Sequence, residues 1–208
     1  MLSAAQALAR LREGNARFVA NRGAGGLSHP ERRAELVHGQ DPIAVVLGCS
    51  DSRVPAELVF DQGFGDLFVI RVAGNIVAPS QIGSIEFSAS RFGTRLVVVM
   101  GHTQCGAVEA TLDVLQGSAV ESRNLAFIVE RMRPSVKAVL ASRAIADREA
   151  LLDAASRANV RASVEQLRHG SEILEQLVRE EGLLIVGAEY SLETGVVDFF
   201  EGVPSAGC

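Results

Sequence analysis

The stretch "TRLVVVMGH" (residues 94–102) decides the fold. It is a short, unbroken apolar run rich in β-branched side chains, the pattern of a strand covered on both faces. Strands of that kind belong to parallel sheets. "IAVVLGC" (43–49) and "DLFVIRVAG" (66–74) have the same character, "LLIVGAEY" (183–190) reads as a fourth strand, and "GVVDFF" (195–200) as a fifth, at an edge. Between the second and third runs, "SQIGSIEFSASRF" (80–92) suits a helix capped by Ser80. Residues 105–181 are mostly helical. Val108, Leu112 and Leu115 mark one apolar stripe, and Leu125, Val129, Met132 and Val136 another that Pro134 is expected to kink or end. A helix near 148–169 follows, and Ser171 caps "EILEQLVREEG" with Gly182 as its stop. Strands alternating with helices predict an α/β fold: a central, mainly parallel sheet of four strands plus the edge strand, flanked by helices, with right-handed crossovers.

Upstream, residues 4–20 read as a helix capped by Ser3, with Ala4, Leu8, Leu11 and Phe18 on one face. Gly14 and Asn15 interrupt that face with poor helix formers. "NRGAGGLSHP" (21–30) is a glycine-rich connector. The expectation is a loosely joined N-terminal helical arm over 1–30 and one α/β domain over 31–208.

Composition narrows the function. A net charge of −5 over 208 residues argues against a nucleic-acid-binding face. No apolar run approaches the roughly 18 residues of a membrane span. The opening "MLSAAQALARLREGNARF" mixes acid and base throughout, unlike a signal peptide. Three widely spaced cysteines, Cys49, Cys105 and Cys208, do not make a disulfide framework, so metal or catalytic use is the better reading. A cytoplasmic location follows as an expectation.

In a parallel sheet, ligands bind beyond the carboxyl ends of strands. Two strands here end in chemistry: 43–48 runs into Cys49 in "GCSDSRV", and 95–101 into His102 in "GHTQCG". If those ends lie side by side, Cys49, His102 and Cys105 offer two thiolates and one imidazole. Three protein ligands with a fourth position open to water is the pattern of a catalytic zinc site. His29, His38, His169 and Cys208 are poor fourth ligands, lying in a loop, helices or the tail. Against this stands ordinary burial, the commoner fate of a lone cysteine. Two glycine-flanked strand ends, with an acid and a base beside one of them, favour zinc. Asp51 and Arg53 have two readings. In one they form a turn with a nearby ion pair. In the other Arg53 holds Asp51 by a bidentate contact, so that the carboxylate can orient a nucleophile at the metal or, released, take the metal's fourth position. The spacing does not fit a thiol-phosphatase loop, which places five residues between cysteine and arginine; three intervene here, and position 55 is proline. No phosphate-binding glycine loop is present.

"CSDSRV" (49–54), "GHTQCGAV" (101–108) and "GDLFVIRVAGNIV" (65–77) resemble the β-class carbonic anhydrases over about Gln40 to Tyr190. The resemblance implies one zinc ion per chain on Cys49, His102 and Cys105, an Asp51–Arg53 dyad, and reversible hydration of carbon dioxide to bicarbonate. It implies substrate contacts at Gln40, Phe68, Phe87 and Gly106, partly from a neighbouring subunit, in a homodimer that is open to pairing into a tetramer. The N-terminal helix is then expected to pack across the partner. A related small substrate, such as carbon disulfide or carbonyl sulfide, or a non-catalytic zinc or thiol sensor, stays as an alternative. Some members of the family carry a second, inhibitory bicarbonate pocket built on a tryptophan, an arginine and a tyrosine. Here those positions are Val46, Arg71 and Tyr190, so that pocket is expected to be absent or weak.

Overall fold

The computed structural model describes residues 2–23, 30–120, 122–142 and 145–204. Its elements, in chain order, are α1 (Ala4–Val19), α2 (Pro30–Leu36), β1 (Ala44–Gly48), α3 (Ala56–Val59), β2 (Leu67–Arg71), a single 3-10 turn (Ala73–Asn75), α4 (Pro79–Arg91), β3 (Leu96–His102), α5 (Gly106–Leu115), α6 (Arg123–Ser142), α7 (Arg148–His169), α8 (Glu172–Glu180), β4 (Leu184–Tyr190) and β5 (Val197–Glu201).

The five strands form one sheet in the order β2-β1-β3-β4-β5. The first four are parallel, and β5 runs antiparallel to β4 at the edge. Alternate residues sort the core into two layers, as the two-residue strand period requires. Val46, Val98, Met100 and Val186 pack with Leu8 and Leu11 of α1, Val59 of α3 and the adjoining Phe60. Val45, Leu47, Val97, Val99 and Ile185 pack beneath α4, α7 and α8. The strand order reverses between β1 and β3: the chain leaves β1 for β2 on one side and then crosses to β3 on the other. A crevice opens at the carboxyl ends of two strands related in this way, and in open α/β sheets ligands bind there.

β2 departs from the expectation of a strand covered on both faces. Four of its residues are half-buried and Arg71 is exposed, because it lies at the sheet's edge with one neighbour among the described residues. Ser80 does not cap α4: Pro79 takes the first helical position, Ala78 precedes it without a side-chain bond, and Ser80 sits inside the helix. α6 runs through Pro134 to Ser142. Ser171 does cap α8, its hydroxyl accepting from the Leu174 N–H, and Gly182 takes the left-handed backbone (φ 71°) just past the helix end.

The largest correction concerns α1. Its cap is a reciprocal pair: Ser3 Oγ accepts from the Gln6 N–H, and Gln6 Oε1 accepts from the Ser3 N–H. Its apolar stripe, expected on a partner subunit, is buried in this chain's own core. Gly14 and Asn15, the apparent interruptions, are what dock it. A Cβ at Gly14 would lie 1.8 Å from the Phe60 carbonyl oxygen. Asn15 Nδ2 donates to the carbonyls of Val59 (3.1 Å) and Gly195 (2.8 Å), while its Oδ1 accepts from the Val197 N–H (2.9 Å). Asn15→Ala leaves these backbone groups without their partner, and an unpaired buried polar group costs about 1–3 kcal/mol. The expected loss is about 3 kcal/mol in urea unfolding. An unchanged midpoint would mean that α1 contributes little to the fold.

Candidate metal centre

The crevice gathers three soft or borderline ligands. Cys49 follows Gly48 at the end of β1, and His102 ends β3; the register Gly48 to Met100 sets the two strand ends side by side. Three residues later the chain turns into α5. Gln104 takes a left-handed backbone (φ 54°), and Cys105 holds the N-cap position without a side-chain capping bond. The ligand atoms of Cys49, His102 and Cys105 all lie within 4.8 Å of one another, and all three residues are buried. Ile76, Val108, Leu112, Met132 and Val136 wall the cluster with apolar surface.

The imidazole is set for a cation. His102 Nδ1 lies 2.8 Å from the Thr103 carbonyl oxygen, an acceptor, so Nδ1 carries the proton and Nε2 presents its lone pair. That Nε2 is buried and has no hydrogen-bond partner among the described residues. A buried nitrogen lone pair facing two sulfurs is what a thiolate-and-imidazole metal site requires. Without a metal, the two thiols share a proton. The hydrogen bond from Cys105 lowers the Cys49 thiol to about 4, from an ordinary 9.0. The same bond, reinforced by burial, pushes Cys105 upward. A bound divalent cation would replace that proton and hold both sulfurs as thiolates. Burial works against a protonated His102, but the neighbouring Cys49 thiolate outweighs burial and raises its pKa.

Beside the cluster, Asp51 and Arg53 make both the turn contact and the bidentate contact. Asp51 Oδ1 accepts from the Arg53 backbone N–H (3.0 Å), which makes the turn. Oδ1 and Oδ2 then accept from Arg53 Nε (2.9 Å) and Nη2 (2.7 Å), which makes the bidentate pair. Asp51 Oδ2 is 3.8 Å from His102 Nε2, so the carboxylate faces the cluster. Arg53 Nη2 also reaches the Gln104 carbonyl (3.4 Å), tying the Cys49 loop to the Cys105 loop.

Residues 44–197, which hold both loops and every strand to the start of β5, match the family model described as carbonic anhydrase. The chain belongs to the β-class carbonic anhydrase family. It is 43% identical over 192 residues to a carbonic anhydrase of Mycolicibacterium smegmatis, covering 90% of this chain and 89% of that one. It is 39% identical over 185 residues to carbonic anhydrase 2 of Mycobacterium tuberculosis, covering 89% and 87%. Among solved structures, a β-carbonic anhydrase of Sordaria macrospora superposes with a TM-score of 0.76 at 22% identity, covering 93% of this chain and 96% of that one.

Sequence reasoning missed what holds the Cys49 loop in this family member. Arg71, at the end of β2, donates from Nε to the Cys49 carbonyl (3.0 Å) and from Nη2 to the Asp51 carbonyl (2.6 Å). It clamps the loop that carries Cys49 and Asp51 through two backbone carbonyls. Val46 is wholly buried in the core and Tyr190 nearly so, beside His102 in the strand register. The expected substrate residues divide. Gly106 opens α5 directly after Cys105, and a Cβ there would meet nothing within 4 Å, so that side of the cluster is open. Phe68 pairs with Val45, four residues before Cys49, and stacks with Phe87 (6.3 Å) and Phe92 (6.2 Å). Phe87 is 54% exposed, and Gln40 is exposed ahead of β1. A single chain therefore gathers Gln40 and Phe68 near the amino ends of the strands, whereas the ligands lie at the carboxyl ends. His38 sits in the turn after α2, and His169 ends α7 on the surface beside Glu165. His29 and Cys208 lie outside the described residues.

Proposed function

We propose that this chain is a zinc-dependent carbonate dehydratase that reversibly hydrates carbon dioxide to bicarbonate and a proton. The observation that carries this reading is the buried Cys49, His102 and Cys105 cluster with the Asp51–Arg53 pair turned toward it. Two thiolates and one imidazole suit zinc, and three protein ligands leave one coordination position for exchange. Bound zinc would supply a nucleophile at neutral pH by making water acidic. Asp51, ionised and held by Arg53, can only accept hydrogen bonds. It therefore takes the O–H of the nucleophile and turns the oxygen lone pair toward carbon. Arg53 keeps the carboxylate in that orientation, and Arg71 fixes the backbone beneath it. The apolar wall of Ile76 and Val108 limits water around the ligands.

Gln40, Phe68 and Phe87 complete the site when contributed by a second copy of the chain, which makes the working unit a dimer. The exposed aromatic group around Phe87 supports this reading. Pairing of dimers has a precedent in the relative from Sordaria macrospora, which is described as tetrameric. Among the described residues no helix is long and apolar enough to cross a membrane. Cys49 and Cys105 are free thiols, the state a metal site needs, and a reducing cytoplasm keeps them so.

Metal analysis of the purified protein, paired with stopped-flow carbon dioxide hydration, tests the proposal. A zinc-replete chain with no hydration activity would overturn it. Arg71→Leu is expected to keep zinc but lower kcat/KM about tenfold, since a fraction of one hydrogen-bonded contact's free energy moves a rate by that factor. A variant with parental rates per zinc would show that the clamp is dispensable.

A further inference from the structure

The turn that meets Cys49 from the β2 side is held from outside. In Ala73–Asn75, two successive residues take the left-handed backbone, Gly74 at φ 69° and Asn75 at φ 42°. A Cβ at Gly74 would lie 2.7 Å from the Met132 sulfur, so packing and backbone both demand glycine there. Backbone in so sparsely populated a region persists only where its surroundings over-determine it. On one side the turn offers the Gly74 N–H to Cys49 Sγ, at 3.4 Å. On the other, its carbonyls go to α7. Asn159 Nδ2 donates to the Gly74 oxygen at 2.8 Å, and Ser163 Oγ donates to the Asn75 oxygen at 3.3 Å. Asn159 and Ser163 are 3% and 4% exposed, so water does not substitute for them. They lie four residues apart, on the face of a 22-residue helix that also buries Val160 and Val164 against the sheet.

We propose that Asn159, supported by Ser163, is a positioning residue of the metal centre: by gripping the turn it aims the Gly74 N–H at the Cys49 sulfur and sets how much charge that thiolate gives to a bound cation. A hydrogen bond to sulfur draws charge away from it. The cation then keeps more of its own positive charge, while the ligand stays oriented in the absence of metal. Partners outside the ligand set commonly tune metal affinity about 10- to 100-fold. Asn159 acts one bond further out, through the backbone. This inference rests on the reading that the cluster binds zinc.

The test uses Asn159→Leu, which keeps the branched outline of the side chain and removes the donor, Ser163→Ala as a milder change, and Ser88→Ala as a control. Ser88 bonds Thr94 in the buried core on the α4 side, apart from the ligands. Each full-length protein is titrated with zinc against a chromophoric chelator and, after cobalt substitution, read by its thiolate-to-cobalt charge-transfer band. Asn159→Leu is expected to raise the zinc dissociation constant about tenfold and move the band to longer wavelength, because an unbonded sulfur gives up its electron more readily. Ser163→Ala should move both in the same direction by less, and Ser88→Ala should lower thermal stability without moving either. A folded Asn159→Leu with parental affinity and band overturns the inference. So does a control that shifts them as far. If Asn159→Leu does not fold, the direction of the Ser163→Ala shift decides. A parent chain that binds no zinc would instead overturn the proposed function.

Discussion

Changing Cys49 to serine is expected to leave a folded chain that holds less than about a tenth of an equivalent of zinc and hydrates carbon dioxide about a thousandfold more slowly. The substitution keeps the shape of the side chain and the acceptor for the Gly74 N–H. It removes one of the three proposed protein ligands and puts a hard, protonated oxygen in place of a soft thiolate. Cys49 is also where the lower thiol pKa lies, because the hydrogen bond from Cys105 favours its thiolate. The matching changes Cys105→Ser and His102→Ala should strip the metal as well. Of these, His102→Ala is expected to destabilise the fold more, since a wholly buried ring is deleted. Metal content by atomic emission, measured beside circular dichroism, separates loss of zinc from loss of fold. Folded variants that retain a full zinc equivalent would remove these residues from the ligand set.

The cluster of Cys49, His102 and Cys105 is legible in the chain because each member sits where local pattern alone speaks. Cys49 and His102 follow unbroken apolar runs, and Cys105 follows His102 by three residues. β1 and β3 are legible for the same reason, each an apolar run buried on both faces, and β4 is legible despite the buried Glu189 near its end. β2 has equally apolar residues but lies at the sheet's edge, and edge position is a property of topology that its composition does not carry. Gly14 and Asn15 show the opposite failure. Helix propensity marks them as faults, whereas contacts with Phe60, Val59, Gly195 and Val197, 44 to 182 residues away, make them the seat of α1. Arg71 and Asn159 leave no signature, because each binds a backbone carbonyl and every residue offers one. The Asp51–Arg53 pair lies between these cases. Its spacing permits both a turn and a bidentate pair, and only the fold shows the carboxylate turned toward His102.

Asp51→Asn is expected to keep a full complement of zinc and lose about a hundredfold in kcat/KM, roughly the share that one positioned proton-accepting group contributes. In the parent chain Oδ1 accepts two bonds from Arg53 and Oδ2 a third. Asparagine keeps one oxygen. If that oxygen stays on the Arg53 backbone N–H and Nε, the amide nitrogen faces Nη2, donor against donor, and the pair opens. If the amide flips, the turn loses its acceptor. In the first case a donor replaces the acceptor near His102, and the nucleophile's O–H loses its partner; in the second the oxygen stays near His102 but the turn no longer holds it in place. The pH dependence gives a second handle. The hydrogen bond from Arg53, the main cause, holds the Asp51 carboxyl well below the usual carboxylate range. A depressed carboxyl pKa makes a contribution that is complete above the unfolded value, roughly 4, and is lost only as pH falls through the lower folded one. The dyad therefore stays ionised throughout a working range of about pH 6 to 9. The ratio of parental to variant kcat/KM should accordingly stay flat across that range, even where both rates change. A ratio that collapses toward one at the acid end would show that Asp51 titrates within the working range, as a base free of Arg53. A variant with parental rates at every pH would leave the pair as nothing more than a turn.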